Sequence, residues 1–181
     1  TRVALTEAGR PNVSIVFPRV DARSVGQYLM MMELAVASWL VLQLTDSSFS
    51  VALVGTFRML PMFVFGMAVG ELADRLPKKR LMVGAQFLHV IGASAMLFLL
   101  TMGWIQPWHV YVCTFLIGTA MTTDFPARRG YFAQMFESSR LNNVIALETA
   151  AMMGSFMLGP LLGGLLIELF GFTGSYIVMV A

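Results

Sequence analysis

Three ionisable residues interrupt the long apolar runs of this chain: Glu33, Arg58 and Glu148. A charge facing hydrocarbon is costly, so each is expected to face a protein interior or water, where a functional role is the default reading. Glu33 is the leading candidate for moving a proton, because an apolar cavity raises a carboxyl pKa toward neutrality and lets it take up and release one. Glu33 lies seven residues past Gly26 and Arg58 seven past Val51, which at 1.5 Å per residue puts each about 10 Å in, from opposite sides. A direct pair would have to span that offset of about 10 Å, with water or substrate filling it. Glu148 sits about 6 Å past Val144 and can equally snorkel to the interface. His89 could titrate near neutral pH, although packing is its simpler role.

Two other stretches suit movement more than chemistry. Gly70-Glu71-Leu72-Ala73-Asp74-Arg75-Leu76-Pro77-Lys78-Lys79-Arg80 ends one apolar run and begins the next. Arg75, Lys78, Lys79 and Arg80 crowd four cations into this connection, and such loops stay on the cytoplasmic side. Asp74 can pair with Arg75 or cap the next element, and Pro77 enforces the break. Inside a later run, Gly159-Pro160-Leu161-Leu162-Gly163-Gly164 would let a neighbouring helix approach closely, while Pro160 frees a backbone carbonyl. Plain helix packing would use the same residues.

Composition dictates where these groups must work. The chain is 57% hydrophobic and 12% charged, against about 25% charged in soluble domains. It is expected to be an all-α polytopic membrane protein. The net charge of +2 does not call for nucleic acid, because placement explains it: Arg2, Arg10, Arg19 and Arg23 form one cluster, Arg75 to Arg80 a second, and Arg128, Arg129 and Arg140 a third. The intervening connections near Thr45 to Ser50 and Gly103 to His109 contain no Lys or Arg, which places the N-terminus on the cytoplasmic side. A lone Cys113 allows no intrachain disulfide and no thiolate metal cluster. There is no metal-ligand spacing, no phosphate-binding glycine loop and no Gly-x-Ser-x-Gly, so no enzyme activity, metal or cofactor is expected.

A cytoplasmic lead-in covers 1–25 and a transmembrane bundle covers 26–181. Spans are expected at about 26–44, 51–70, 81–102, 108–123 and 144–170, each near the length that crosses about 30 Å of hydrocarbon. Pro61 is a candidate kink in the second. Residues 124–143 would form a second cytoplasmic loop. Residues 171–181 read as the start of a sixth span, so the chain is expected to be a piece of a longer protein. Fifteen methionines, three of them consecutive at Met30 to Met32, suit a cavity that adapts to varied apolar ligands, although most should face lipid or other helices.

The residues at 70–80 also resemble a known pattern. Gly-x-Leu-Ala-Asp-Arg followed by basic residues is similar to the cytoplasmic signature between the second and third helices of the major facilitator superfamily. Pro77 stands where that pattern has a second glycine, and Lys78 and Lys79 stand where it has arginine. Gly159, Pro160, Gly163 and Gly164 resemble the end of the fifth-helix signature of the superfamily's exporters. Ala146 and Ser155 take the places of two earlier glycines. Asp124, Pro126 and Arg128, with Leu141 to Leu147 downstream, resemble the loop after the fourth helix in the bacterial branch that includes the enterobactin exporter and macrolide efflux proteins.

The resemblance implies the N-terminal six-helix bundle of a major facilitator, its sixth helix truncated, in a bacterial inner membrane. It implies proton-coupled efflux of drugs, siderophores or other amphipathic small molecules by alternating access. The partners would be the bilayer, a small-molecule substrate, protons and the C-terminal half of the same polypeptide. A non-transporting membrane scaffold or partner subunit, and an uptake carrier of the same fold, remain the alternatives.

Overall fold

The computed structural model describes residues 22–135 and 138–180, so nearly all of the expected lead-in lies outside the described residues. The side chains of Asp74, Arg75, Arg129, Arg140 and residues 141–143 lie outside them as well. The described residues form helices joined by short turns, with no strand among them: α1 (Ala22–Thr45), α2 (Ser48–Arg75), α3 (Lys78–Thr101), α4 (Pro107–Met135) and α5 (Ser138–Val180). Gly171 interrupts α5 with φ 68° and ψ −175°, a conformation open to glycine alone. The final segment, 172–180, therefore takes a new direction.

Local chemistry explains the ends. After Thr45, Asp46 turns left-handed (φ 48°), which a short polar side chain tolerates. Ser47 then caps α2 by accepting from the Ser50 N–H at 3.5 Å. At the far end of α3, Gly103 has φ 69°, its N–H reaches Leu100 O, and the Trp104 N–H reaches Leu99 O. Together these bonds make a Schellman motif that satisfies otherwise orphaned carbonyls. Trp104 and Trp108 are exposed at this end, where indole rings favour a membrane interface.

Four of the five described helices carry stretches long and apolar enough to cross a bilayer: Tyr28–Thr45, Ser48–Leu72, Lys78–Thr101 and Val144–Val180. Their outward faces are apolar. Phe63, Met67 and Met157 are 84%, 94% and 79% exposed, a surface suited to hydrocarbon or to another apolar protein face. The exception, α4, packs against both α2 and α3 and also meets α1 and α5. With Val110, Cys113, Thr114, Ile117, Ala120 and Ala127 all buried, it is shielded by protein and can carry more polar residues. The other major contact is α1 against α5. Val36, Val41, Val54, Met96, Val110 and Tyr176 form the heart of the core, so every helix contributes to it, including the last segment.

The helices run further than the sequence predicts. Residues 124–135 extend α4, so Asp124, Pro126 and Arg128 lie on a helix and not in a loop. The Asp124–Arg128 pair, at 2.5 Å and four residues apart, favours that continuation. The basic connection is also tighter than expected. Gly70 to Arg75 finish α2, Lys78 to Arg80 start α3, and the turn is only Leu76 and Pro77. The α2 backbone stays helical through Pro61.

Lys78 lies over α4, because a Cβ at Gly130 would meet Lys78 Cε at 3.0 Å. The 76–80 connection and the end of α4 therefore share one end of the bundle. This basic end faces away from the Asp46 and Gly103 turns.

Close approaches fix the bundle. A Cβ at Gly118 would lie 2.9 Å from the Arg58 carbonyl carbon and closer still to its oxygen. That obstacle is backbone and cannot swing aside. Gly118→Ala is expected to cost about 1–3 kcal/mol, whereas Gly66→Ala, with nothing within 4 Å, should be neutral or slightly stabilising. Unfolding of both variants in detergent checks the contrast.

Candidate functional site

Glu33 and Arg58 meet directly. Arg58 Nη1 donates to Glu33 Oε2 at 2.6 Å, and Nη2 donates to the Met30 carbonyl at 2.8 Å. Met30 and Glu33 lie three residues apart on one face of α1, so the planar guanidinium bridges a single helical turn. Both side chains are 1% exposed.

The expected 10 Å offset is corrected here. Depth has to be counted from the shared turn at Asp46 and Ser47: Glu33 is about 18 Å below Thr45 and Arg58 about 15 Å below Ser48. They are nearly level, and the length of the arginine side chain closes the difference.

The pair belongs to a polar layer drawn from all five described helices. Tyr176, wholly buried on the last segment, comes within interaction range of Glu33 but not into hydrogen-bond geometry. His89 on α3 is buried within electrostatic reach of Glu33, Arg58 and Asp124. Cys113 on α4 feels the charge of Glu33, and Thr114 beside it is buried. Glu33 Oε1, Arg58 Nε, His89 Nε2, Thr114 Oγ1 and Tyr176 Oη all lack hydrogen-bond partners. Each such buried group costs about 1–3 kcal/mol, so several together mark a layer that packing alone would not select.

The glycine-proline stretch supports the same turn of α1. Gly159 and Gly163 are buried against it: a Cβ at Gly159 would lie 2.6 Å from Met31 Cβ, and one at Gly163 3.1 Å from the Met32 carbonyl oxygen. Pro160 and Gly164 point outward and are exposed. Met31 and Met32 are buried in this contact and Met30 is buried beside it, while Met62, Met67 and Met157 face outward. The two methionine populations therefore have different surroundings.

Glu148 is placed elsewhere, at the basic end. Arg128 Nε approaches Glu148 Oε1 at 3.8 Å while its Nη2 holds Asp124, linking α4 to α5. Both partners are partly exposed, so the link contributes at most about 1 kcal/mol. Gly70 is open, since a Cβ there would meet nothing within 4 Å. Among the described residues no group of three or more His, Cys, Asp or Glu side chains could hold a metal ion.

Every helix of this arrangement lies within the stretch matched by a family profile, that of the transmembrane secretion effectors, which covers residues 20–181. The chain belongs to that family. Transmembrane secretion effectors are transporters of the major facilitator type, in keeping with a helical chain that carries several membrane-length apolar helices. No curated protein and no solved structure matches the chain significantly.

One member of the polar layer of this secretion effector, and one residue packed against the Arg58 backbone, are not evident from sequence. Tyr176 reads as one more aromatic in an apolar segment, and Gly118 as one of many glycines. A buried hydroxyl four helices along the chain from Glu33 carries no local signal. Gly118 could have been suspected only as a small residue midway along a long apolar run.

Proposed function

We propose that this chain forms one bundle of a proton-coupled exporter of amphipathic small molecules such as drugs or siderophores. Glu33 carries the proton, and Arg58 is its counter-ion. The basic end faces the cytoplasm of a bacterial inner membrane, following the segregation of cations to one end.

The observation that carries this reading is the Glu33–Arg58 pair, wholly enclosed yet with Glu33 Oε1 and Arg58 Nε left unpartnered. Protonating Glu33 would remove its negative charge and weaken the Nη1 contact to that of a charged donor on a neutral acceptor, with the Met30 carbonyl as the other anchor of Arg58. The interface between α1 and α2 would then be free to open, and deprotonation would draw it shut. In this account Gly159 and Gly163 let α1 slide against α5, with Pro160 and Gly164 on the outward face. Gly70, Asp74, Arg75, Lys78, Lys79 and Arg80 form the switch at the basic end, where Asp124, Pro126 and Arg128 abut it from α4. The C-terminal half of the polypeptide would complete the substrate path by alternating access.

The test is export from vesicles carrying the full-length protein under an imposed pH gradient, scored over a panel of amphipathic drugs and siderophores. Gradient-dependent export of any member is the expected result. Export that ignores the gradient would contradict proton coupling, and inward transport alone would favour an uptake carrier. If nothing moves in either direction, the enclosed pair is better read as a packing device in a membrane scaffold.

A further inference from the structure

A groove of about 170 Å³ opens at the basic end, between the α2–α3 turn, α3 and α4. We propose that it seats one anionic phospholipid, with an acyl chain along the groove and the phosphate against Arg80.

The lining has the polarity of such a molecule. Arg80, Gly84 and Leu88 recur every fourth residue on one stripe of α3, with Leu81 and Ala85 forming the buried floor beside them. Leu76 closes one side and Thr123 of α4 the other. From Arg80 to Leu88 the stripe runs about 12 Å along the helix, cationic at the end of the bundle and apolar toward its middle. A free phosphate or a soluble anion would have no use for that apolar length.

The cation is available. Arg80 and its neighbour Lys79 are exposed, and among the described residues no carboxylate pairs with Arg80. Lys78 is different, since its stem is committed to Gly130 of α4.

The groove also faces the right solvent. Val83, Phe87 and Ile91, on the adjoining face of α3, are 54%, 69% and 54% exposed, so the groove opens beside an apolar face suited to lipid. Gly84 keeps it open, because a side chain there would meet nothing within 4 Å and would fill the groove without displacing the fold. Basic residues next to a membrane helix attract anionic headgroups, and each is worth about a fivefold change in binding.

The experiment releases the protein from nanodiscs of equal phosphatidylglycerol and phosphatidylcholine and counts retained lipids by native mass spectrometry. The proposal expects phosphatidylglycerol to be retained over phosphatidylcholine, with the preference falling about fivefold in Arg80→Gln and surviving in Arg80→Lys. It expects a comparable fall in Gly84→Leu, where every charge is kept. Millimolar inorganic phosphate should not displace the lipid. Equal retention of the two lipids would overturn the proposal. So would a preference that Gly84→Leu leaves intact, which would mean diffuse attraction to the basic end, or displacement by inorganic phosphate, which would mean an anion site without an acyl seat. Because this readout involves neither protons nor Glu33, its failure leaves the transport reading untouched.

Discussion

Arg58→Leu is expected to destabilise the bundle by about 3–5 kcal/mol, since removing one partner of a buried ion pair strands the other charge. Glu33 would lose its 2.6 Å partner, and its other carboxylate oxygen already has none. No described cation stands close enough to replace the guanidinium, because the remaining Lys and Arg lie toward the basic end or outside the described side chains. A second substitution should reverse most of the loss. With Glu33→Met added, both charges are gone and an apolar pair of similar volume fills the layer, a replacement that is often neutral or stabilising. Denaturant unfolding of the two single variants and the double variant in detergent gives the coupling between them. A loss for Arg58→Leu of under about 1 kcal/mol would show that the charges are solvated.

Glu33→Gln is expected to separate stability from function. The amide keeps an oxygen that can accept from Arg58 Nη1, so the stability loss should be smaller, about 1.5–3 kcal/mol for a weakened charge-assisted bond. Transport should respond far more strongly. An amide cannot exchange a proton, so coupling to a pH gradient should be abolished while ligand binding persists.

The comparison of sequence with structure turns on what is local. That Glu33 and Arg58 matter is legible in the chain itself, because a charge inside an apolar run violates the simplest rule of membrane composition. That they touch is not, since contact depends on where each helix begins. Taking Gly26 and Val51 as starting points misplaces the pair by about two turns, whereas the Asp46–Ser47 turn sets both depths together. The same difficulty hides the end of α4, where Asp124 and Arg128 look like loop charges until their spacing of four is seen to support a helix. Gly159 and Gly163 announce a close approach, but only the fold says that the partner is the turn of α1 bearing Met30 and Glu33. Tyr176 and Gly118 gain their roles wholly from tertiary packing.

The central claim is that Glu33 is where proton movement and substrate movement are joined. Its most direct measurement compares gradient-driven export with equilibrium substrate exchange, in vesicles carrying either the full-length protein or its Glu33→Gln variant. The account predicts that the variant still exchanges substrate across the membrane but no longer concentrates it against a pH gradient. Gradient-driven export at the unaltered protein's rate in that variant would contradict it.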